Sequence, residues 1–131
     1  FQNMYPTNHL FYGYMDTTGW INMHNPQLNI SFTPTPKLKV MLDYHLYWNA
    51  NNADAWYRVN GTTRVRPLNA ASTGANSTFR GQEIDLTAIY KLNPHVALQA
   101  GYSYFIAGDY LKATGAHSNA QFGYLQVQID F

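Results

Sequence analysis

The side chains of this chain that are able to do acid–base or metal chemistry are few and widely spaced. None of the five histidines belongs to a His-x-His or His-Glu-x-x-His zinc pattern: His9, His24, His45, His95 and His117. The closest acid–base pair is Asp43 with His45, and side chains two positions apart on a strand lie side by side without any catalytic role. The absence of cysteine removes thiol chemistry and disulfides. We therefore expect no enzyme activity, no metal site and no cofactor.

The composition is unusual for a soluble protein. Charged residues make up 11% of the 131 residues, less than half of the roughly 25% that is usual, whereas aromatic residues reach 16%. A net charge of +1 gives no overall field that would attract a nucleic-acid partner. No apolar run is long enough for a transmembrane helix. Few charges, many tyrosines and no helical span together favour a β-barrel that faces lipid.

Alternating apolar and polar residues predict long β-strands. The alternation from Leu38 to Trp48 has the length of about 9–11 residues that a tilted strand needs to cross a bilayer. Four further strands are predicted at 27–33, 82–90, 96–106 and 124–131. No stretch has the spacing of an amphipathic helix. The soluble alternative, an antiparallel sandwich, usually has strands of about five or six residues, so we expect an antiparallel transmembrane β-barrel.

Short and long connections alternate between these strands. Residues 33–37 and 92–95 are short turns with Pro and Asn, whereas 49–81 and 107–120 are long polar loops. Outer-membrane barrels have short periplasmic turns and longer external loops. We therefore assign the two turns to the periplasmic side and the two loops to the outside.

Residues 1–19 are expected to be an external loop or a partial strand, in which Leu10–Met15 could form a sixth strand. Single-chain barrels begin at about eight strands, so five or six strands cannot close. An open edge in lipid would leave backbone groups unsatisfied, at several kcal/mol each. We therefore expect residues 1–131 to be the carboxyl-terminal part of a larger barrel, completed by amino-terminal strands of the same protein or by neighbouring protomers.

The alternation also predicts which side chains face the lumen and contact a solute. They are Lys39, Asp43, His45, Tyr47, Glu83, Asp85, Lys91, Gln99, Gln126 and Gln128. With Asp130 this face carries four acids against two lysines and one histidine. The aromatic side chains predicted for the same face either stack on sugar rings or fill space beneath a plug: Tyr47, Phe105, Phe122 and Tyr124.

All four arginines lie in the first long loop: Arg58, Arg64, Arg66 and Arg80. If that loop folds into the pore, they form a basic constriction. Alternatively they are ordinary loop charges that pair with the acids or bind lipopolysaccharide phosphates outside. Periodicity does not distinguish these two interpretations, because it carries no information about loop position.

Several segments resemble the alginate-export-type outer-membrane porins: Tyr5–His9, Phe11–Asp16, Leu42–Trp48, Asp54–Arg58, Gly101–Phe105 and Gly108–Leu111. The resemblance implies a monomeric barrel of about eighteen strands in the outer membrane of Gram-negative bacteria, of which this chain is the last quarter to third. Founding members export a polyanionic polysaccharide through an arginine-lined lumen, and the excess of acids on the strands departs from that pattern. The resemblance also implies that the barrel-assembly machinery recognises the terminal strand through Leu125, Val127, Ile129 and Phe131.

The function expected from these features is passive diffusion of a hydrophilic solute or an anionic polysaccharide through a charged lumen. Its surroundings would be outer-membrane lipid and lipopolysaccharide, with no nucleic-acid partner. A plugged structural barrel that anchors a surface-layer or electron-transfer partner is the second interpretation. A soluble carbohydrate-binding β-sandwich is the third.

Overall fold

A computed structural model of the chain describes residues 13–15, 19–66 and 77–131. Its regular structure consists of eight strands and one short helix: β1 Met23–His24, β2 Gln27–Thr35, β3 Leu38–Asn49, β4 Trp56–Tyr57, β5 Arg64–Arg66, β6 Phe79–Asn93, β7 Val96–Ala107, α1 Asp109–Thr114 and β8 Ala120–Ile129. All strand pairs are antiparallel. The predicted all-β antiparallel class is therefore confirmed.

Five long strands form one sheet in the order β2–β3–β6–β7–β8, and β1 extends the β2 edge along the end of β3. β3 and β7 have 12 residues each and β6 has 15, longer than the usual strand of about five or six residues. The order does not return from β8 to β2, so the described residues form an open sheet. An open sheet of such strands is what part of a larger barrel would provide.

One face of this sheet is apolar and remains accessible. In the register, Leu42 of β3 lies opposite Ile30 of β2 and Leu86 of β6, and these three side chains are 39%, 49% and 48% exposed. The same face continues over β7 to Leu125 of β8. A soluble sandwich buries such a face against a second sheet. Here the apolar face is left open by the residues that the structure describes.

The opposite face carries the polar side chains and the hydrophobic core. The core contains Tyr47 of β3 and Phe105 of β7, together with Trp56, Tyr110 and Leu111. Trp56 belongs to the first long connection, and the last two residues belong to α1 in the second. The core is therefore made where both long connections pack on one end of the polar face, which we call the loop end.

The connections at the other end of the sheet are two-residue turns, Pro36–Lys37 and Pro94–His95. The first is shorter than the predicted turn over 33–37, because β2 continues through Pro34 to Thr35 with a register shift after Phe32. Among the described residues β2 pairs with β3 alone, so proline is tolerated on the unpaired edge. The second turn lies within the predicted stretch 92–95 and is also shorter than it, because β6 continues through Asn93.

The long connections contain local structure that the sequence pattern does not indicate. The first includes the two-stranded hairpin of β4 and β5, and the second includes α1. The helix α1 is thus an element that the strand alternation does not predict. Asp109 and Lys112 pair across one turn of α1 at 2.9 Å, and Tyr110 and Leu111 are buried in the core. A six-residue helix is too short for its periodicity to be read, and tertiary packing stabilises it.

Candidate functional site

The sheet register places the ten predicted lumen-facing side chains on one face. Asp43 lies opposite Asp85, and His45 lies opposite Glu83. Gln99 of β7 lies opposite Gln126 of β8. The remaining members fall at matching alternate positions of the same ladders: Lys39, Tyr47, Lys91 and Gln128. The polar face is therefore one continuous surface shared by β3, β6, β7 and β8.

At the centre of this polar face two acids are completely buried. Glu83 is 0% exposed and Asp85 is 1% exposed. His45 Nε2 lies 3.7 Å from Asp85 Oδ2, and the His45 ring stacks on the Tyr47 ring with centroids 5.9 Å apart. Ionised carboxylates are costly to bury unless hydrogen bonds compensate them. The structure therefore has to supply donors at this point of the face.

Donors are supplied by the backbone N–H groups of Tyr14 and Met15, which together with Gly13 form what we call the covering segment. The Met15 backbone N–H donates to Glu83 Oε1 at 3.0 Å, and the Tyr14 N–H lies 3.4 Å from Asp85 Oδ2. The covering segment lies over the polar face and outside the sheet. Only these three residues of the predicted strand Leu10–Met15 belong to the described residues. Backbone amides from a distant part of the chain therefore cover two of the four inner acids.

Gly13 is required for the close approach of the covering segment. Its φ is +83°, a left-handed conformation that side chains disfavour. A Cβ atom at this position would lie 2.6 Å from Glu83 Oε1 and 2.7 Å from the Tyr47 hydroxyl oxygen. Any side chain here would push the segment away from the sheet. Glycine is thus needed on both conformational and steric grounds.

A stack of tyrosines holds the covering segment toward β8. The Tyr14 and Tyr124 rings are 5.2 Å apart and nearly parallel. The Tyr124 hydroxyl accepts a hydrogen bond from Gln99 Nε2 at 2.8 Å and lies 3.3 Å from Thr87 Oγ1. Burial, and next its hydrogen bond to Tyr124, raise the pKa of Tyr14 above the ordinary tyrosine value. The Tyr14 phenol is therefore neutral at physiological pH, and both rings work as packing and hydrogen-bonding groups.

The aromatic side chains predicted for the inner face are divided between two environments. Tyr47 and Phe105 are buried in the core with ring centroids 6.3 Å apart. Phe122, in contrast, is 41% exposed beside Tyr124, at a centroid distance of 5.9 Å. The first pair fills space under the loops. Phe122 and Tyr124, by contrast, keep an accessible aromatic surface, and Tyr14 lines the same cavity.

Arg80 does not lie in the loop where the sequence places it. It belongs to β6 and is the extra residue of a bulge, since Trp48 lies opposite Phe79 and Tyr47 lies opposite Gly81. Its side chain is 0% exposed. It donates to Asn49 Oδ1 and to the Asn22 carbonyl, each at 2.6 Å, and its guanidinium lies 5.3 Å from the Trp56 ring. Arg80 therefore joins strands and loops, which corrects its assignment as a constriction residue.

The other three arginines differ in their accessibility. Arg58 and Arg64 are exposed, beside β4 and in β5. Arg66 is half-buried and donates to the carbonyl of Ala116 in the second long connection. This bond ties the β4–β5 hairpin to the segment after α1. Arg58 and Arg64 are therefore the exposed arginines of the four that the sequence suggests.

The terminal strand presents the side chains that were predicted as an assembly signal. Leu125, Val127 and Ile129 lie on the apolar face of β8 and are more than half exposed. Phe131 follows the strand and is fully accessible. Gln126 and Gln128 alternate with them on the polar face. From Leu125 to its end, β8 is therefore apolar on one side and polar on the other.

Sequence reasoning did not identify the covering segment as part of the site. The donors are backbone amides, which carry no side-chain signature, and their acceptors are about seventy positions away along the chain. Gly13 between two aromatic-rich stretches is the one local sign, because glycine often marks a close backbone approach. Nothing in the strand alternation predicts which acids become covered.

None of the helices among the described residues has the length and apolar character needed to cross a membrane.

The sequence model described as Alginate export matches residues 1–124, which include every strand from β1 to β7 and the first half of β8. No curated protein and no solved structure matches the chain significantly. The match agrees with the resemblance found in the sequence.

Proposed function

This chain belongs to the alginate export family, and on that premise we propose that it forms part of an outer-membrane channel for a hydrophilic solute or an anionic polysaccharide. Membership of this family indicates an export channel of the outer membrane. In the proposed arrangement the apolar face contacts lipid and the polar face lines the lumen. Transport is passive, because the wall offers charged and polar groups that a solute can bind weakly and leave.

The single observation that carries this proposal is the exposed apolar face of the five-stranded sheet. Leu86 lies at the middle of β6 and is 48% exposed, and Leu125 on β8 is 76% exposed. Monomeric soluble proteins rarely expose such a continuous apolar surface. In a bilayer the same surface is satisfied by hydrocarbon, and strands of this length reach across it. The soluble sandwich interpretation would need this face to be buried.

The partners we propose follow from the two open edges and the apolar face. The outer edges of β2 and β8 would pair with further strands of the same protein or of neighbouring protomers, since unpaired backbone groups are costly in lipid. Lipid contacts the apolar face, and lipopolysaccharide contacts the loop end. The alternate apolar residues that end in Phe131 would be read by the barrel-assembly machinery. No catalytic step is proposed.

Selectivity in this channel would depend on the accessible charges. Two exposed arginines, Arg58 and Arg64, lie at the loop end, where a positive charge attracts anions to the pore entrance. We expect the complete protein to conduct ions in planar bilayers. Replacing both arginines by alanine should lower the permeability of anions relative to cations, measured as a reversal potential in a salt gradient. Low ionic strength should enlarge this effect, because surface charges are then less screened.

A matched control is Lys112→Ala. Lys112 is also an exposed cation of the loop end, but it is paired with Asp109 at 2.9 Å, so its removal should change anion permeability less. Selectivity equal to the parent protein after removal of Arg58 and Arg64 would exclude them from the conduction path. A protein that inserts but never conducts would contradict the channel itself.

The second candidate function is a plugged barrel that anchors a surface-layer or electron-transfer partner. The observation that favours it is the cover over the centre of the polar face, where Gly13 packs against Glu83 and Tyr47. A plug built in this manner would leave no continuous water path. Bilayer conductance distinguishes the two functions directly, because a plugged barrel inserts without producing current steps.

A further inference from the structure

The covering segment changes which charges of the inner face a solute can reach. Asp43 and Asp130 remain accessible together with Lys39 and Lys91, whereas the two central acids are hidden. The accessible charged side chains that the strands carry on the polar face are therefore two acids and two lysines. Over the described strand residues, the acid excess that the sequence predicts for the wall is therefore absent from the accessible side chains.

We propose that the covering segment, Gly13–Met15, determines the ion selectivity of the channel by hiding Glu83 and Asp85 from permeating solutes. This inference rests on the proposed channel function. The role of the segment is electrostatic as well as steric: it makes the wall less acidic and it narrows the lumen in front of β6. Anionic solutes then pass a wall without excess negative charge.

The contacts support this role in two ways. A permeating cation is attracted by carboxylate oxygens that it can approach, and here backbone N–H groups occupy Glu83 Oε1 and face Asp85 Oδ2. The N–H dipoles directed at these oxygens also offset part of their negative charge. Both acids therefore serve as anchors for the segment rather than as contacts for a solute.

The position of the segment depends on features that can be changed without touching either acid. Gly13 allows the close approach, and the Tyr14–Tyr124 stack fixes the far side. A valine at position 13 would overlap the Glu83 carboxylate and the Tyr47 hydroxyl, and it would adopt φ +83° only with strain. The variant Gly13→Val should displace the segment and expose both acids to the lumen.

The experiment measures single-channel conductance and reversal potential of the complete protein in planar bilayers. We expect Gly13→Val to raise conductance. We also expect it to lower the permeability of chloride relative to potassium by a factor on the order of five, because that is the effect that Coulomb's law gives for one unit charge about 4 Å from an ion in water. Adding Glu83→Gln and Asp85→Asn to Gly13→Val should restore the parent selectivity while conductance remains high. Gly123→Ala is the matched glycine control, since its added Cβ would meet no atom closer than 3.8 Å.

A second measurement covers the case in which Gly13→Val does not fold. The double variant Glu83→Gln, Asp85→Asn keeps an acceptor oxygen at each position, so the covering segment stays in place. Its chloride-to-potassium permeability ratio should remain within about twofold of the parent ratio. This limit is less than half of the roughly fivefold change expected if a solute met one exposed unit charge. A change as large as that full effect would show that solutes already contact the acids, and it would overturn the inference.

The outcomes separate this inference from the channel proposal. If the parent protein never conducts, the proposed function fails. If the parent conducts and folded Gly13→Val has the same selectivity, the channel stands and the role of the covering segment is refuted. If selectivity changes and the two amide substitutions do not reverse it, the hidden acids are not its cause.

Discussion

The most informative perturbation of this molecule is the introduction of a charge at the centre of the apolar face. Leu86 has seven residues of β6 on either side. At about 3.3 Å per residue these extend about 23 Å along the strand, or about 16 Å across a bilayer at a tilt of about 45°. Half the hydrocarbon thickness is about 15 Å. In the proposed arrangement Leu86 therefore lies near the bilayer midplane.

An arginine at the midplane of a β-barrel costs about 2–4 kcal/mol. For Leu86→Arg this cost lowers the folding equilibrium constant about 30- to 700-fold, because about 1.4 kcal/mol corresponds to a factor of ten. The free energy of unfolding would be measured by urea titration of the complete protein in lipid vesicles. Tryptophan fluorescence and heat-modifiable gel mobility would follow the transition.

The control variant is Ser31→Arg. Ser31 lies opposite Met41, which lies opposite Thr87, so it has nearly the same height in the sheet as Leu86 but faces the other side. Both positions are exposed in the open sheet. We expect Ser31→Arg to change the unfolding free energy by less than about 0.5 kcal/mol, as for ordinary accessible sites. Equal small costs at both positions, or a larger cost at Ser31, would refute the assignment of the apolar face to lipid.

The remaining predictions concern packing and also use unfolding in lipid. Arg80→Ala should cost about 3 kcal/mol or more, because two hydrogen bonds from a charged donor are worth at least about 1.5 kcal/mol each; a loss below about 1 kcal/mol would contradict its linking role. Gly101→Ala should cost about 1–3 kcal/mol by overpacking, since its Cβ would overlap the Tyr124 ring, and equal stability would show that the ring moves aside freely. Asp109→Asn removes only an exposed ion pair and should cost less than about 0.5 kcal/mol; a larger loss would mean that α1 depends on it.

The features that the sequence predicts are those set by alternation. From Leu38 onward β3 has the expected apolar and polar faces, and β7 begins at the expected Val96. Period-two patterning is readable because successive side chains of any strand point to opposite faces, whichever strands pair with it. The face of each side chain is thus readable from sequence position.

The features that the sequence does not predict depend on contacts between distant segments. Arg80 leaves its expected loop because a bulge before Gly81 inserts one residue, which no propensity marks. Burial of Glu83 follows from the amide of Met15, which is 68 positions away. Pro34 is found inside β2, which pairs with β3 alone among the described residues, and that pairing is a property of topology rather than of local sequence. Whether a segment forms a strand can be predicted from its own residues. Whether a polar side chain of that strand is accessible depends on contacts with distant segments.

The contrast between the two ends of the sheet has a consequence for the order of folding. The turns Pro36–Lys37 and Pro94–His95 bring β2 to β3 and β6 to β7 with almost no loop-closure entropy, and hairpins of this kind form in about 1–10 μs. Pairing of β3 with β6 must close residues 50–78 first, and pairing of β7 with β8 must close residues 108–119. The two hairpins are therefore expected to form before the sheet, so that this part of the chain is assembled from preformed strand pairs.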